Sequence, residues 1–145
     1  MTWLLLAALI LGICSVISDM MRRSIPNWLT ASGAAAGLAG HFVAIGWQGL
    51  ALAAAGAAIG FILLLPLQIK GAMGGGDVKL MAAFGALLGP SGILLTGLLG
   101  MIAGGVWTAV WLALRPGSRT VPYAPAIVLG AWLSFLGGRT IGGAG

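Results

Sequence analysis

The feature that most constrains this chain is the segment between Lys79 and Arg115, in which no side chain is charged. As one straight helix it would be roughly 50 Å long, whereas the hydrocarbon core of a bilayer is about 30 Å thick. We therefore expect it to fold back on itself, and Gly89-Pro90-Ser91-Gly92 has the residues of a turn. Only 6% of the 145 residues are charged and 60% are hydrophobic, so the chain cannot cover a soluble core, and lipid is its expected solvent.

The rest of the chain consists of apolar runs that short polar or proline-containing segments separate. These runs extend from Trp3 to Ser18, from about Trp28 to Ile45, from Leu50 to Ile69 and from about Val121 to Leu136. Together with the two arms around Gly89, they predict an all-α, polytopic membrane protein with about six transmembrane helices. Residues 1–145 are predicted to form a single integral-membrane domain. Its first run is expected to be a retained span, because no basic segment precedes it as in a signal peptide.

The seven Lys and Arg residues are scattered between the apolar runs. This distribution disfavours a nucleic-acid partner, which needs a solvated basic face. With the N-terminus outside, the cytoplasmic side receives six of them: Arg22, Arg23, Lys70, Lys79, Arg115 and Arg119. Only Arg139 falls outside, so the positive-inside rule favours this orientation over its opposite.

The chain contains two acidic residues, Asp19 and Asp77, both at the predicted cytoplasmic ends of helices. Ionisable side chains at membrane depth are costly and usually mark function. Two carboxylates held close together share a proton, so that one can activate water while the other polarises a scissile carbonyl. The pair therefore predicts aspartyl peptide hydrolysis without a cofactor or metal. The single histidine, His41, lies near the predicted outer side, and the chain offers no convincing set of zinc ligands.

Other interpretations of the two acids remain open at this point. Asp19 can offset Arg22 or Arg23, and Asp77 can cap the N-terminus of a helix. A small membrane transporter or assembly factor could use both carboxylates as a proton or cation site. The acids lie at helix ends rather than at the bilayer midplane, and no internal repeat is visible, which is atypical of a transporter.

Two segments resemble motifs of the type IV prepilin peptidases, a family of G-x-G-D membrane aspartyl proteases. The residues from Gly74 to Leu80 match the G-x-G-D signature, and Asp19, Arg22 or Arg23 and Ile25-Pro26-Asn27 match the second motif. Pro122-Tyr123-Ala124-Pro125 also resembles the proline turn before the last helix of that family. Signal-peptide-peptidase-like proteases are disfavoured because Ser18, rather than a tyrosine, precedes Asp19.

The resemblance implies that Asp19 and Asp77 are catalytic. It implies a multi-pass enzyme of the bacterial cytoplasmic (inner) membrane, with its active site on the cytoplasmic side. Its partners would be the lipid bilayer and a prepilin or pseudopilin precursor, whose short basic leader is cut off, typically after a Gly. The larger bifunctional members carry a cysteine-rich insertion and also N-methylate the new N-terminus. The short segment from Met20 to Asn27 therefore indicates the peptidase-only type, as found with Flp-type tight-adherence pili.

Seven further residues are predicted to bind substrate or support the site: Gly74, Gly76, Lys79, Arg22, Arg23, Pro26 and Asn27. The glycines would let a substrate backbone approach closely. The basic residues would either anchor the helices or contact an acidic residue near the start of the mature pilin. Pro26 and Asn27 would set the turn that re-enters the bilayer. The sequence predicts no oligomeric state.

Overall fold

The computed structural model of the chain describes residues 2–117, 121 and 123–142, with side chains up to residue 137. Arg119, Pro122 and the side chain of Arg139 lie outside the described residues. Four α-helices follow one another along the chain, and they are α1 (Thr2–Arg22), α2 (Asn27–Ile69), α3 (Gly75–Leu114) and α4 (Ala124–Gly142). The regular structure of the described residues is entirely helical. The first three helices are long and apolar enough to cross a membrane, and α4 contains a shorter apolar stretch, Ala124–Gly137.

The helix α2 is folded sharply near its middle. Gly46 has a φ of 66°, which a residue with a Cβ rarely adopts, and the preceding residue is also non-helical. A Cβ on Gly37 would lie 2.5 Å from a backbone atom of Ala86. A Cβ on Gly56 would likewise overlap the backbone of Gly85. In a straight helix Gly37 and Gly56 would be about 28 Å apart. The two halves of α2 must therefore flank the same part of α3.

The helix α3 is also interrupted, at Gly89, where φ is 73°. Pro90 follows and lacks the N–H that would continue the helical ladder. A Cβ on Gly97 would lie 3.5 Å from the terminal methyl group of Met81, a residue about 24 Å away in a straight helix. Both breaks thus lie within the segments from which the sequence predicted turns.

The periodicity of α1 places Asp19 on the inner face of the bundle. Its buried positions recur every three or four residues, at Leu4, Ala8, Leu11, Ser15 and Asp19. The exposed positions on the other side are apolar as well, which suits a helix in contact with lipid: Leu6, Ile10, Ile13 and Ile17.

The core of the bundle is the first half of α3. The side chains from Val78 to Leu87 include the most completely buried ones of the described structure, with Phe84 and Leu80 at 0% exposure. Both halves of α2 pack against this segment through glycines, as close helix packing in a bilayer requires. Asp77 lies at the start of this buried segment, so the fold directs both acids inward.

Candidate active site

Asp19 lies in the last turn of α1 and reaches the beginning of α4. Its side chain is only 8% exposed. One carboxylate oxygen, Oδ2, accepts a hydrogen bond of 3.3 Å from the backbone N–H of Ala124, the first residue of α4. The N–H groups in the first turn of a helix have no partner within the helix. Asp19 therefore satisfies one of these donors, and the contact fixes the position of its carboxylate.

Asp77 lies in the first turn of α3 and is also 8% exposed. The helix begins after Gly74, whose extended backbone (φ −75°, ψ 153°) occupies the N-cap position. The backbone amide of Gly74 hydrogen-bonds to the carboxylate of Asp77. The interpretation of Asp77 as the N-cap residue is therefore wrong, because the N-cap position belongs to Gly74.

Both carboxylates line one cavity of about 590 Å³, and they interact electrostatically across it. The cavity is lined by Asp19, Met20, Arg23, Gly71, Ala72, Met73, Gly74, Asp77, Trp111, Arg115, Val121 and Tyr123. We call it the carboxylate cavity. Within the described part of the chain, no group of three or more His, Cys, Asp or Glu residues could hold a metal ion. Two carboxylates that interact in one cavity do not readily ionise together, and acid–base catalysis by a carboxylate pair depends on this property.

The structure separates the two arginines that were predicted to support the site. Arg23 lines the carboxylate cavity, as Gly74 does, whereas Arg22 is exposed and is absent from the lining. Arg23 has a φ of 51°, and its backbone N–H donates to the carbonyl oxygen of Asp19 at 2.9 Å. This left-handed residue ends α1 one helical turn after Asp19.

The remaining predicted residues lie beside the cavity and join the two motifs to each other. Lys79 is exposed, and its Nζ donates a hydrogen bond of 2.9 Å to Oδ1 of Asn27. We call this contact the Lys79–Asn27 latch. A Cβ on Gly76 would lie 3.2 Å from the Cβ of Ile25, so this glycine packs against the segment between α1 and α2. Pro26 is the N-cap residue of α2, in an extended conformation.

Several cavity residues were not predicted from the sequence as site residues. Arg115 lies over the ring of Trp111, 4.8 Å from its centroid, and both come from the far end of α3. Tyr123 also lines the cavity and accepts a hydrogen bond from the hydroxyl of Thr108. The Pro-Tyr-Ala-Pro resemblance was a signal for Tyr123. No local pattern marks Trp111, because it reaches the cavity only through the fold of α3.

His41 and Cys14 stay away from the carboxylates. His41 Nε2 lies 3.1 Å from the carbonyl oxygen of Leu87, just before the break in α3. His41 lines a different cavity, together with Thr2 at the opposite end of α1 from Asp19. Cys14 is exposed on α1. Neither side chain lines the carboxylate cavity.

Comparison with known proteins assigns the chain to a family. The sequence profile of the Type IV leader peptidase family matches residues 4–109, which include Asp19 and Asp77. A prepilin leader peptidase/N-methyltransferase of Xanthomonas campestris pv. campestris is 30% identical over 132 residues, covering 85% of this chain and 46% of that protein. The protein of the same name from Aeromonas hydrophila is 31% identical over 157 residues, covering 96% of this chain and 52% of that protein. No solved structure matches the chain.

The chain spans about half the length of these curated relatives. The family profile covers well over half of the chain and contains both of the motifs that enclose the carboxylate cavity. The chain therefore belongs to the Type IV leader peptidase family.

Proposed function

We propose that the protein is a membrane aspartyl endopeptidase that removes the leader peptide from prepilin or pseudopilin precursors, with Asp19 and Asp77 as its catalytic pair. One observation supports this above the others. The two acidic residues of the chain come from different helices and lie buried on one cavity. The named relatives are prepilin leader peptidases, which gives the substrate class.

In this mechanism the ionised carboxylate takes a proton from water, and the resulting hydroxide attacks the scissile carbonyl carbon. The protonated carboxylic acid donates its proton to the carbonyl oxygen. Collapse of the tetrahedral intermediate breaks the C–N bond, and a proton from the pair passes to the leaving amine. The amide of Gly74 and the N–H of Ala124 hold the two carboxylates in place before substrate arrives. The step needs no cofactor or metal.

The proposed topology has six membrane spans with the carboxylate cavity at the cytoplasmic face of the bacterial inner membrane. Each of α2 and α3 would contribute two spans, separated by the breaks at Gly46 and Gly89. Arg23 and Arg115 line the cavity, so basic residues gather at the end of the bundle that holds the acids. The positive-inside rule places such an end in the cytoplasm.

We further propose that residues 1–145 form one peptidase domain that does not transfer methyl groups. The segment between α1 and α2 comprises only residues 23–26, and the Lys79–Asn27 latch and Ile25 hold it against α3. Four residues are too few to form a cytoplasmic insertion between these two helices. The N-methyltransferase activity in the relatives' names refers to those longer proteins.

The test is to co-express a leader-bearing prepilin with wild type, Asp19→Asn or Asp77→Asn, and to follow leader removal by gel shift and N-terminal sequencing. Asparagine keeps an oxygen for the hydrogen bond from Ala124 or Gly74 but cannot exchange the proton. We expect trimming by wild type and none by either variant, with equal amounts of enzyme in the membrane fraction. Trimming by both variants at the wild-type rate would refute the catalytic pair. Mass spectrometry of the product is expected to show an unmethylated N-terminus.

A further inference from the structure

A buried hydroxyl group lies on α1 one helical turn before Asp19. It belongs to Ser15, which shares the inner face of the helix with Asp19 and is 0% exposed. Within the part of the chain that the structure describes, its oxygen Oγ forms no hydrogen bond. A buried hydroxyl without a partner has lost its hydration and gained nothing in return. The serine at this position therefore lowers the stability of the bundle.

Two other buried hydroxyl groups of the bundle show how this cost is usually avoided. Thr96 and Ser134 each donate a hydrogen bond of 2.8 Å to the carbonyl oxygen of Gly92. For Thr96 that carbonyl lies four residues earlier in the same helix, which is a common partner for a hydroxyl inside a helix. Ser15 makes no such contact with its own helix. Its hydroxyl is thus left over by the packing of the bundle.

The carboxyl group of Asp19 is within reach of this hydroxyl. Residues four apart in a helix have their Cβ atoms about 5–6 Å from each other. Every Cα–Cβ bond is tilted towards the N-terminus of the helix, so the side chain of Asp19 leans over the turn that carries Ser15. A change of rotamer at Ser15 would therefore bring its hydroxyl to the carboxyl group.

A hydroxyl offers Asp19 something that its backbone partner does not. The N–H of Ala124 donates to Oδ2 of Asp19 over 3.3 Å, slightly longer than the usual range of about 2.7–3.2 Å. An N–H group can only donate, so it suits the ionised carboxylate and cannot accept a proton from the acid. A serine hydroxyl donates and accepts. It can therefore bond to Asp19 in both protonation states through which the proposed mechanism passes.

The substrate has no direct route to Ser15. Three residues of α1 line the carboxylate cavity, Asp19, Met20 and Arg23, and Ser15 is not among them. It lies one turn deeper in the helix, on the side of Asp19 that faces away from the end of α1. Any effect of Ser15 on cleavage must therefore act through the carboxyl group of Asp19.

We propose that Ser15 is a positioning residue of the catalytic pair, whose hydroxyl hydrogen-bonds to the carboxyl group of Asp19 during the reaction and holds it in the carboxylate cavity. This inference rests on the proposed peptidase function. The hydroxyl has no partner in the resting enzyme and gains one when Asp19 exchanges its proton. Residues that favour activity while lowering stability are a recurrent feature of active sites.

The test measures kcat, KM and Tm for wild type, Ser15→Ala and Ser15→Thr, with a leader-bearing prepilin as the substrate. Ser15→Ala should lower kcat by roughly 10–100-fold with little change in KM, because a hydrogen bond to a charged group is lost. It should also raise the Tm in detergent by about 2–4 °C, because a buried polar atom without a partner is removed. Ser15→Thr keeps the hydroxyl and should recover most of the rate, although its extra methyl group lowers the Tm.

Ser134→Ala is the matched control. Ser134 is also a buried serine, but its hydroxyl has a partner, and it lines the cavity that contains Thr2 at the far end of the bundle. Ser134→Ala should lower the Tm and leave kcat unchanged, which is the reverse of Ser15→Ala in both measurements. Addition of Ser15→Ala to Asp19→Asn should cause no further loss in a single-turnover assay, since Ser15 acts through the carboxyl group.

The other outcomes separate this inference from the proposed function. Cleavage by Ser15→Ala at the wild-type rate, with none by Asp19→Asn, overturns the role of Ser15 and leaves the peptidase function in place. A slower Ser15→Ala enzyme with a lower Tm also overturns it, because the hydroxyl is then a structural group. If Ser15→Thr does not reach the membrane, the opposite signs expected for Ser15→Ala and Ser134→Ala decide the question. Cleavage at the wild-type rate by Asp19→Asn and Asp77→Asn would instead refute the proposed function.

Discussion

The Lys79–Asn27 latch allows a direct test of what the basic residue after the G-x-G-D motif does. The sequence left two roles for Lys79, anchoring at the membrane or contact with an acidic residue of the substrate. The structure instead shows its Nζ 2.9 Å from Oδ1 of Asn27, which lies at the start of α2. The latch ties the helix that carries Asp77 to the segment that follows Asp19. We therefore predict that Lys79 acts by positioning the two carboxylates relative to each other.

The magnitude follows from the geometry. A hydrogen bond of this kind contributes about 0.5–1.5 kcal/mol net, and solvent exposure of the pair keeps it within that range. Loss of the latch can reduce the aligned fraction of the enzyme by no more than this free energy. At 1.36 kcal/mol per factor of ten, Lys79→Met should lower kcat by roughly two- to tenfold with little change in KM. Asn27→Ala should have the same effect, and the double variant should be no slower than either single variant.

The assay is the rate of leader removal over a range of prepilin concentrations in membranes that contain equal amounts of enzyme. Lys70→Met is the matched control, because Lys70 is exposed at the end of α2 and does not line the carboxylate cavity. The rate of Lys70→Met relative to wild type shows how much the removal of one basic charge changes leader removal by itself. If Asn27→Ala is harmless and Lys79→Met raises KM, Lys79 contacts the substrate, and the positioning argument is refuted. Additive losses in the double variant would refute it as well.

Four further predictions concern the site and its packing. Each of Asp19→Asn and Asp77→Asn should slow cleavage by about 10²–10⁴-fold, and the double variant should be no slower in a single-turnover assay, since the pair acts as one unit. Gly85→Ala would place a methyl group against the backbone of α2, so it should destabilise the protein by about 1–3 kcal/mol, seen as a lower Tm in detergent. Gly76→Ala should lower kcat by up to roughly tenfold, because its Cβ would lie 3.2 Å from the facing side chain and shift the motifs apart. Gly74→Ala, whose Cβ would meet only a carboxylate oxygen at 3.9 Å, should instead raise KM by narrowing the cavity.

The position of the two acids was largely predictable from the sequence. The buried positions of α1 recur at helical spacing up to Asp19, and the chain has no other acid to pair with Asp77. The turns were also predictable, because Gly46 and Gly89 adopt positive φ angles that glycine tolerates best. The backbone leaves the helical conformation at Ile45, Gly46 and Gly89, so α2 and α3 each consist of two helical segments that meet at a predicted turn.

The rest of the site depends on how the bent helices return. Trp111 and Arg115 line the same cavity as Asp19 because α3 folds back at Gly89, and local sequence does not fix the direction of that return. The contact between Asp19 and the N-terminus of α4 depends on it too, since it joins residues that are 105 positions apart. An isolated apolar run specifies that a helix forms. Its neighbours in the bundle depend on packing that periodicity alone does not determine.

The glycines of α3 show why the sequence alone does not identify the positions at which packing requires glycine. Close helix packing requires a glycine at position 85, because a Cβ there would overlap the backbone of α2. Gly100 lies on the same helix, yet a Cβ there would meet only ordinary contacts. The two positions look alike in sequence, but packing requires glycine at only one of them. The difference lies in the three-dimensional neighbours of each position, which depend on how α3 folds back against α2 and α4.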